Sequence, residues 1–172
     1  SIIDNNTKID PYNIFSYYLK PKYDELDRVC EILKKEKIDF VKLLKGGTTH
    51  EDPQYKFYRN LFKITDSAHY MAVQPTLWKT KSLQKVYEKA NVSHIREFEN
   101  LASSICIDEE IRGIYTYAGE PKVGMHHYSS RVYPYVATAI SAGKWNTKEY
   151  KKELLQLSRE YEIDLQERGT ND

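Results

Sequence analysis

Leu26, Val29, Cys30 and Leu33 fall at i, i+3, i+4 and i+7, and shortly after the last of them the pattern changes. The first spacing lines one face of a helix. The segment that follows, Asp39-Phe40-Val41-Lys42-Leu43-Leu44-Lys45, reads as a strand that stops at Gly46-Gly47. A helix that passes its chain straight to a strand must lay its apolar stripe on the sheet that strand belongs to. The charges agree with a helix over Asp24–Lys37. Asp24 and Glu25 sit at its positive end, and Lys34, Lys35 and Lys37 at its negative end, as the helix dipole prefers.

The remainder alternates in the same way. Tyr55–Ile64 and Ala68–Val73 read as strands, the second stopped by Pro75. Helices are expected over Thr80–Ala90, ended by Asn91, and over Ile95–Ile105, capped by Ser93. Ile111–Tyr117 reads as a strand closed by Gly119-Glu120-Pro121, and Thr147–Tyr161 as a last helix with Leu154, Leu155, Leu157 and Tyr161 on its apolar face. Ahead of these, residues 1–12 are irregular and Asn13–Leu19 is a short aromatic strand. There is no repeat and no low-complexity tract. The expected fold class is α/β or α+β, in a single domain over residues 1–172.

Composition narrows the partners. With 172 residues and a net charge of +1, nothing in the bulk charge draws the chain to nucleic acid or an anionic membrane. No apolar run approaches the roughly 20 residues of a membrane span. Cys30 and Cys106, both in apolar contexts, read as buried free thiols of a reducing, cytoplasmic protein rather than a disulfide framework. Fifteen Tyr stand against five Phe. Rings with a polar tip suit half-wet clefts, sugar faces and self-association surfaces, so a homo-oligomer has material to form from.

Few stretches carry chemistry. His126-His127 make a poor metal chelate, because neighbours on an extended chain point to opposite sides. Glu97 and Glu99 are two carboxylates at i and i+2. On a strand they share a face; on a helix they diverge by about 160–200° and at most one enters a cleft, with two solvent-facing helix charges as the plain alternative. Tyr70 to Lys79 places Gln74 and Trp78 either at a cleft rim or in ordinary packing. No Walker loop, dinucleotide fingerprint, nucleophile elbow or zinc spacing occurs.

Taken in order, a series of these stretches resembles the C-terminal part of small GT-A-type glycosyltransferases of bacteria and large DNA viruses. The series is Asp39-Phe40-Val41-Lys42-Leu43; Gln74-Pro75-Thr76-Leu77-Trp78; Arg96-Glu97-Phe98-Glu99; Arg131-Val132-Tyr133-Pro134-Tyr135 with Thr138-Ala139-Ile140; and Gly143-Lys144-Trp145-Asn146. The resemblance runs over roughly residues 17–169. It implies a GT-A-like mixed sheet with flanking helices, a nucleotide-sugar donor, a glycan or other hydroxyl acceptor, and Mn²⁺ or Mg²⁺ as cofactor. It makes Glu97 and Glu99 candidates for the base that deprotonates the acceptor. It puts His126, His127 and Arg131 near the diphosphate, with His126 as the metal-ligand candidate, and lines the sugar–acceptor cleft with Gln74 and Trp78.

Two departures shape the expectation. Little chain precedes Tyr17-Tyr18-Leu19, where such enzymes carry an N-terminal nucleotide-binding half. Asn13-Ile14-Phe15-Ser16 also holds no carboxylate where the acidic metal motif normally sits, and Asp4 and Asp10 are the nearest. The chain is therefore expected to be the acceptor-side, C-terminal portion of a larger glycosyltransferase, with a degenerate homologue as the alternative. The rivals are a non-catalytic carbohydrate- or protein-binding module of the same fold, and a hydrolase using two carboxylates at fixed separation.

Overall fold

The computed structural model describes residues 21–47, 52–123, 125–136 and 139–171, and all of these but the side chain of Arg96. The expected strand Asn13–Leu19, Asp4, Asp10, His50, Gly124 and Thr138 lie outside the described residues.

The first helix, α1, spans Tyr23–Lys35, with Asp24 and Glu25 in its first turn and Lys34 and Lys35 in its last. It buries Val29, Ile32 and Leu33. Lys37 turns left-handed at φ 55°, and Ile38 N–H returns to Leu33 O at 3.1 Å, which closes the helix and starts the strand. Strand β1 is Phe40–Lys42, and all three residues are buried. That burial on both faces explains the continuous apolar run around it.

Three more strands join it: β2 at Leu61–Lys63, β3 at Thr76–Trp78 and β4 at Gly113–Thr116, in the order β2-β4-β1-β3. β1 and β4 are parallel, and the two outer strands run antiparallel to their neighbours. Between β3 and β4 lie α2, Thr80–Ala90, and α3, Ile95–Asp108. Asn91 ends α2 in the left-handed region at φ 44°, a conformation Asn tolerates.

Alternation along β1 divides the core. Val41 faces Val29, Ile32 and Leu33 of α1, together with Leu61, Ile114 and Val132. Phe40 faces Val86 and Ala90 of α2 and Phe98, Ala102 and Cys106 of α3. Helices therefore cover both faces of one mixed sheet, an α/β arrangement. Asp39 pins its start: Oδ2 accepts Arg112 N–H at 3.0 Å and Oδ1 accepts the Ser82 hydroxyl at 2.8 Å.

A small hairpin follows, β5 Lys122–Val123 with β6 His127–Tyr128. It docks on the continuation of β1 through Tyr128 N–H to Lys45 O at 3.0 Å and Gly47 N–H to His126 O at 2.7 Å. A second hairpin, β7 Ile140–Ser141 with β8 Lys144–Trp145, turns through Ala142 and Gly143, both at positive φ, and leads into α4, Thr147–Glu160. Gly143-Lys144-Trp145-Asn146 is thus a hairpin return and a helix entry together.

Four expectations need correction. Ala68–Val73 is not a strand but a run of turns, and Pro75 leads into β3 instead of stopping a strand before it. Pro75 has no N–H to contribute to a ladder, but its carbonyl accepts Leu43 N–H at 2.9 Å. Tyr55–Ile64 shortens to β2, because Lys56 at φ 51° folds the chain back so that Tyr55 N–H meets Leu61 O at 2.7 Å. Cys106 is buried but Cys30 is half-buried; both are free. α4 buries Tyr150 and Leu154, whereas Leu155 and Tyr161 are exposed.

Candidate functional site

β1 and β4, the parallel pair, end at the same edge, and a cleft of about 740 Å³ opens there. Ligand sites in open α/β sheets favour the carboxyl ends of strands, and sites of roughly 300–1,000 Å³ are usual for small molecules. Its floor is the last residue pair of the ladder. Lys42 and Tyr115 are register partners, so their side chains leave the same face of the sheet.

Lys42 is 5% exposed, and its Nζ donates to His69 O at 2.6 Å. Burial pulls its ammonium down to about 8, against the opposing pull of Asp66 and then Asp52. Tyr115 donates its hydroxyl to Asp52 Oδ2 at 2.9 Å, and burial followed by that carboxylate pushes the phenol well above its ordinary value. The other Asp52 oxygen accepts Thr65 N–H at 3.2 Å and the Thr65 hydroxyl.

Asp66 makes a side-chain turn, with Oδ1 accepting Ala68 N–H at 2.9 Å and His69 N–H at 3.3 Å. His69 Nδ1 lies 2.9 Å from its other oxygen. Burial opposes ionisation of Asp66, but the donors from His69 and Ala68 prevail and hold the carboxyl below its ordinary value.

Among the residues singled out in the sequence, Gln74, Glu99 and His126 come together on this cleft. Gln74 Oε1 is buried there without a hydrogen-bond partner among the described residues. Glu99 on α3 accepts Val73 N–H on Oε1 at 2.9 Å. The helical geometry separates the two glutamates: Glu97 is exposed and does not line the cleft. The two histidines have different surroundings, because His126 stands in the turn of the hairpin and His127 on β6. His126 lines the cleft, while His127 is fully buried, its ring 6.4 Å from that of Tyr150 and nearly parallel to it. Burial holds the His127 imidazole below its ordinary value.

Trp78 and Arg131 are elsewhere. Trp78 stacks on Phe40 with ring centroids 4.4 Å apart, as part of the core. Arg131 is exposed beside Glu120, its Nε 3.4 Å from the carboxylate, at a separate cavity of about 60 Å³. Trp78, His127, Arg131 and Glu97 do not line this cleft. Lys42, Asp52, Asp66, His69 and Tyr115 belong on it and were missed. One of them carried a signal, since Lys42 is a charge in the middle of an otherwise apolar strand.

Mn²⁺ or Mg²⁺ prefers several oxygen ligands. Among the described residues no three His, Cys, Asp or Glu are grouped to hold a metal ion, and the oxygens of Asp52 and Asp66 already accept protein donors. The described cleft does not fit a divalent cation by itself, and His126 has no co-ligand there. No helix among the described residues is long and apolar enough to cross a membrane. No family model matches the chain, and no curated protein or solved structure matches it either.

Proposed function

We propose that this chain is the acceptor-side portion of a nucleotide-sugar-dependent glycosyltransferase, with the cleft above Lys42 and Tyr115 as its substrate site. One observation carries the reading: Glu99, the carboxylate of the Glu-Phe-Glu stretch that faces inward, lies on the same cleft as Gln74 and His126. Val73 N–H fixes one carboxylate oxygen and orients the other.

In this role Glu99 takes the proton from an acceptor hydroxyl as that oxygen attacks the anomeric carbon of the donor. The bond from that carbon to the nucleoside diphosphate breaks, and the diphosphate leaves with the electron pair. His126, on the same cleft, offsets the charge that grows on the departing phosphate. Gln74 Oε1, buried and unpartnered, accepts a substrate hydroxyl.

A second reading has its own support. Asp52, Asp66 and Glu99 all spend oxygens on protein donors, the pattern of carboxylates that shape a cleft. A carbohydrate-binding module would need no more. Thermal shift and transfer assays with UDP- and GDP-sugars, with and without Mn²⁺, separate the two. The transferase reading expects a donor-dependent rise in Tm and product formation. Glu99→Gln is then expected to lose at least a hundredfold in turnover while retaining donor binding, and Glu97→Gln to keep its turnover. Sugar binding without transfer, in the longest native chain that contains this sequence, leaves the module.

A further inference from the structure

Among the described residues, donors and acceptors on the cleft do not balance. Asp52 spends both oxygens on Thr65 and Tyr115, and Asp66 spends both on Ala68 and His69. Glu99 spends one on Val73. The two ammonium groups are in the opposite condition. Lys42 uses one of its three N–H groups, on His69 O, and neither Lys42 nor Lys45 is ion-paired among the described residues.

Lys45 Nζ sits 4.9 Å from the ring centres of both Tyr117 and Tyr128. Those faces hold the cation in place without giving it an oxygen. Gln74 Oε1 is the converse case, a buried acceptor with no donor among the described residues. A ligand with oxyanion acceptors for the lysines and a hydroxyl donor for Gln74 would match all three groups.

We propose that the cleft binds a sugar acid, whose carboxylate or phosphate ester is received by Lys42 and Lys45 and one of whose hydroxyl groups is received by Gln74. The class follows from these three groups taken together. A neutral sugar leaves a buried ammonium short of acceptors, and a simple anion leaves Gln74 unmet; each unmade hydrogen bond is a real cost. Only the naming of this sugar acid as the acceptor rests on the transferase reading. The cleft as a sugar-acid receptor does not need it. Burial lowers the Lys42 ammonium to about 8 against the pull of Asp66 and Asp52, so at pH 7 it remains mostly charged.

The test is equilibrium binding of glucuronate, glucose 6-phosphate and glucose by isothermal titration calorimetry at low salt. At least one acid is expected to bind tenfold or more tightly than glucose, and the stronger of the two says whether the group is a carboxylate or a phosphate ester. Lys45→Met, at a half-buried position, and Lys42→Met, checked for folding by circular dichroism, are each expected to reduce that preference to threefold or less. Gln74→Leu is expected to weaken the acid and glucose alike.

Equal affinity for all three sugars, no binding of any of them, or an acid preference that survives both lysine variants overturns the proposal. The titration does not read transfer. Acid preference without turnover therefore removes only the transferase reading, and turnover without acid preference removes only this inference.

Discussion

Lys42 and Tyr115 face each other across the parallel ladder of β1 and β4, and each is tied to a different loop: Lys42 to His69 O at 2.6 Å, Tyr115 to Asp52 Oδ2 at 2.9 Å. The sheet edge thereby organises the loops around residues 52 and 66–69, which have no strand to hold them. The cleft forms where the two polar residues of the last β1–β4 ladder pair reach outward for partners.

Tyr115→Phe keeps the ring, which stacks on Phe62 at 5.5 Å, and removes only the hydroxyl that Asp52 accepts. A hydrogen bond to a charged group contributes roughly 1.5–3 kcal/mol. Denaturant unfolding is expected to show a loss of about 2 kcal/mol at unchanged m-value. Asp52→Asn, which weakens the same bond and those from Thr65, should cost a similar amount, and the double variant less than the sum of the two.

Between pH 8 and 11, Lys42 and Cys106 change stability in opposite directions. Lys42 binds its proton less tightly when folded, at about 8 against 10.5, so the unfolded chain holds more protons between those values and stability rises with pH there. Cys106 is the reverse: burial pushes its thiol from 9.0 to about 11, so stability falls between pH 9 and 11. Above pH 9 the two offset each other. The net rise is confined to pH 8–9 and amounts to at most about 1.4 kcal/mol, the energy of one pKa unit. Urea unfolding at pH 8 and 9 is expected to show it in the parent chain and not in Lys42→Met. A rise of equal size in that variant would remove Lys42 as its source.

How far the sequence could be read depended on the range of the forces involved. α2 was legible at both ends because its stripe and the left-handed Asn91 are local matters. His126 and His127 do part, but the two-residue period of extended chain is not the reason, since His126 stands in the hairpin turn and only His127 lies on β6. The turns at 68–74 were not legible, because Met71 N–H goes to Ser103 Oγ on α3, far along the chain. The aromatic alternation from Tyr55 imitated a strand, but Phe57 is almost fully exposed at a turn tip. The cleft draws on residues from β1, two loops, β4, α3 and the β5–β6 hairpin, and no local pattern joins them. Lys42 was the exception, a lone charge inside Phe-Val-Lys-Leu-Leu.

Gly113 opens β4 opposite Phe40, and a methyl group built there would run into the Phe40 ring. That ring is fully buried and stacked on Trp78, so it has little room to yield. Gly113→Ala is expected to cost about 3 kcal/mol through overpacking, a fall in Tm of roughly 6–12 °C for a domain of this size. Pairing it with Phe40→Leu, which removes the clashing atoms, should recover part of the loss. Full stability in Gly113→Ala alone would contradict the close approach.

Ser103 is the buried clamp on the cleft wall. Its Oγ accepts Met71 N–H at 3.1 Å and has the carbonyls of Met71 and Ala68 within donating reach at 3.0 and 3.2 Å. Ser103→Ala removes the hydroxyl and leaves the Met71 N–H without that partner in the interior, at a cost of about 1–3 kcal/mol. The effect should be local as well as global. The 68–74 segment carries His69, Val73 and Gln74 on the cleft and has no strand ladder of its own. Hydrogen exchange followed by mass spectrometry is expected to show peptides over 68–74 exchanging faster in Ser103→Ala, while those over β1 and α1 keep their protection. Faster exchange spread evenly over the whole chain would mean that the serine contributes only to global stability and does not hold the cleft wall.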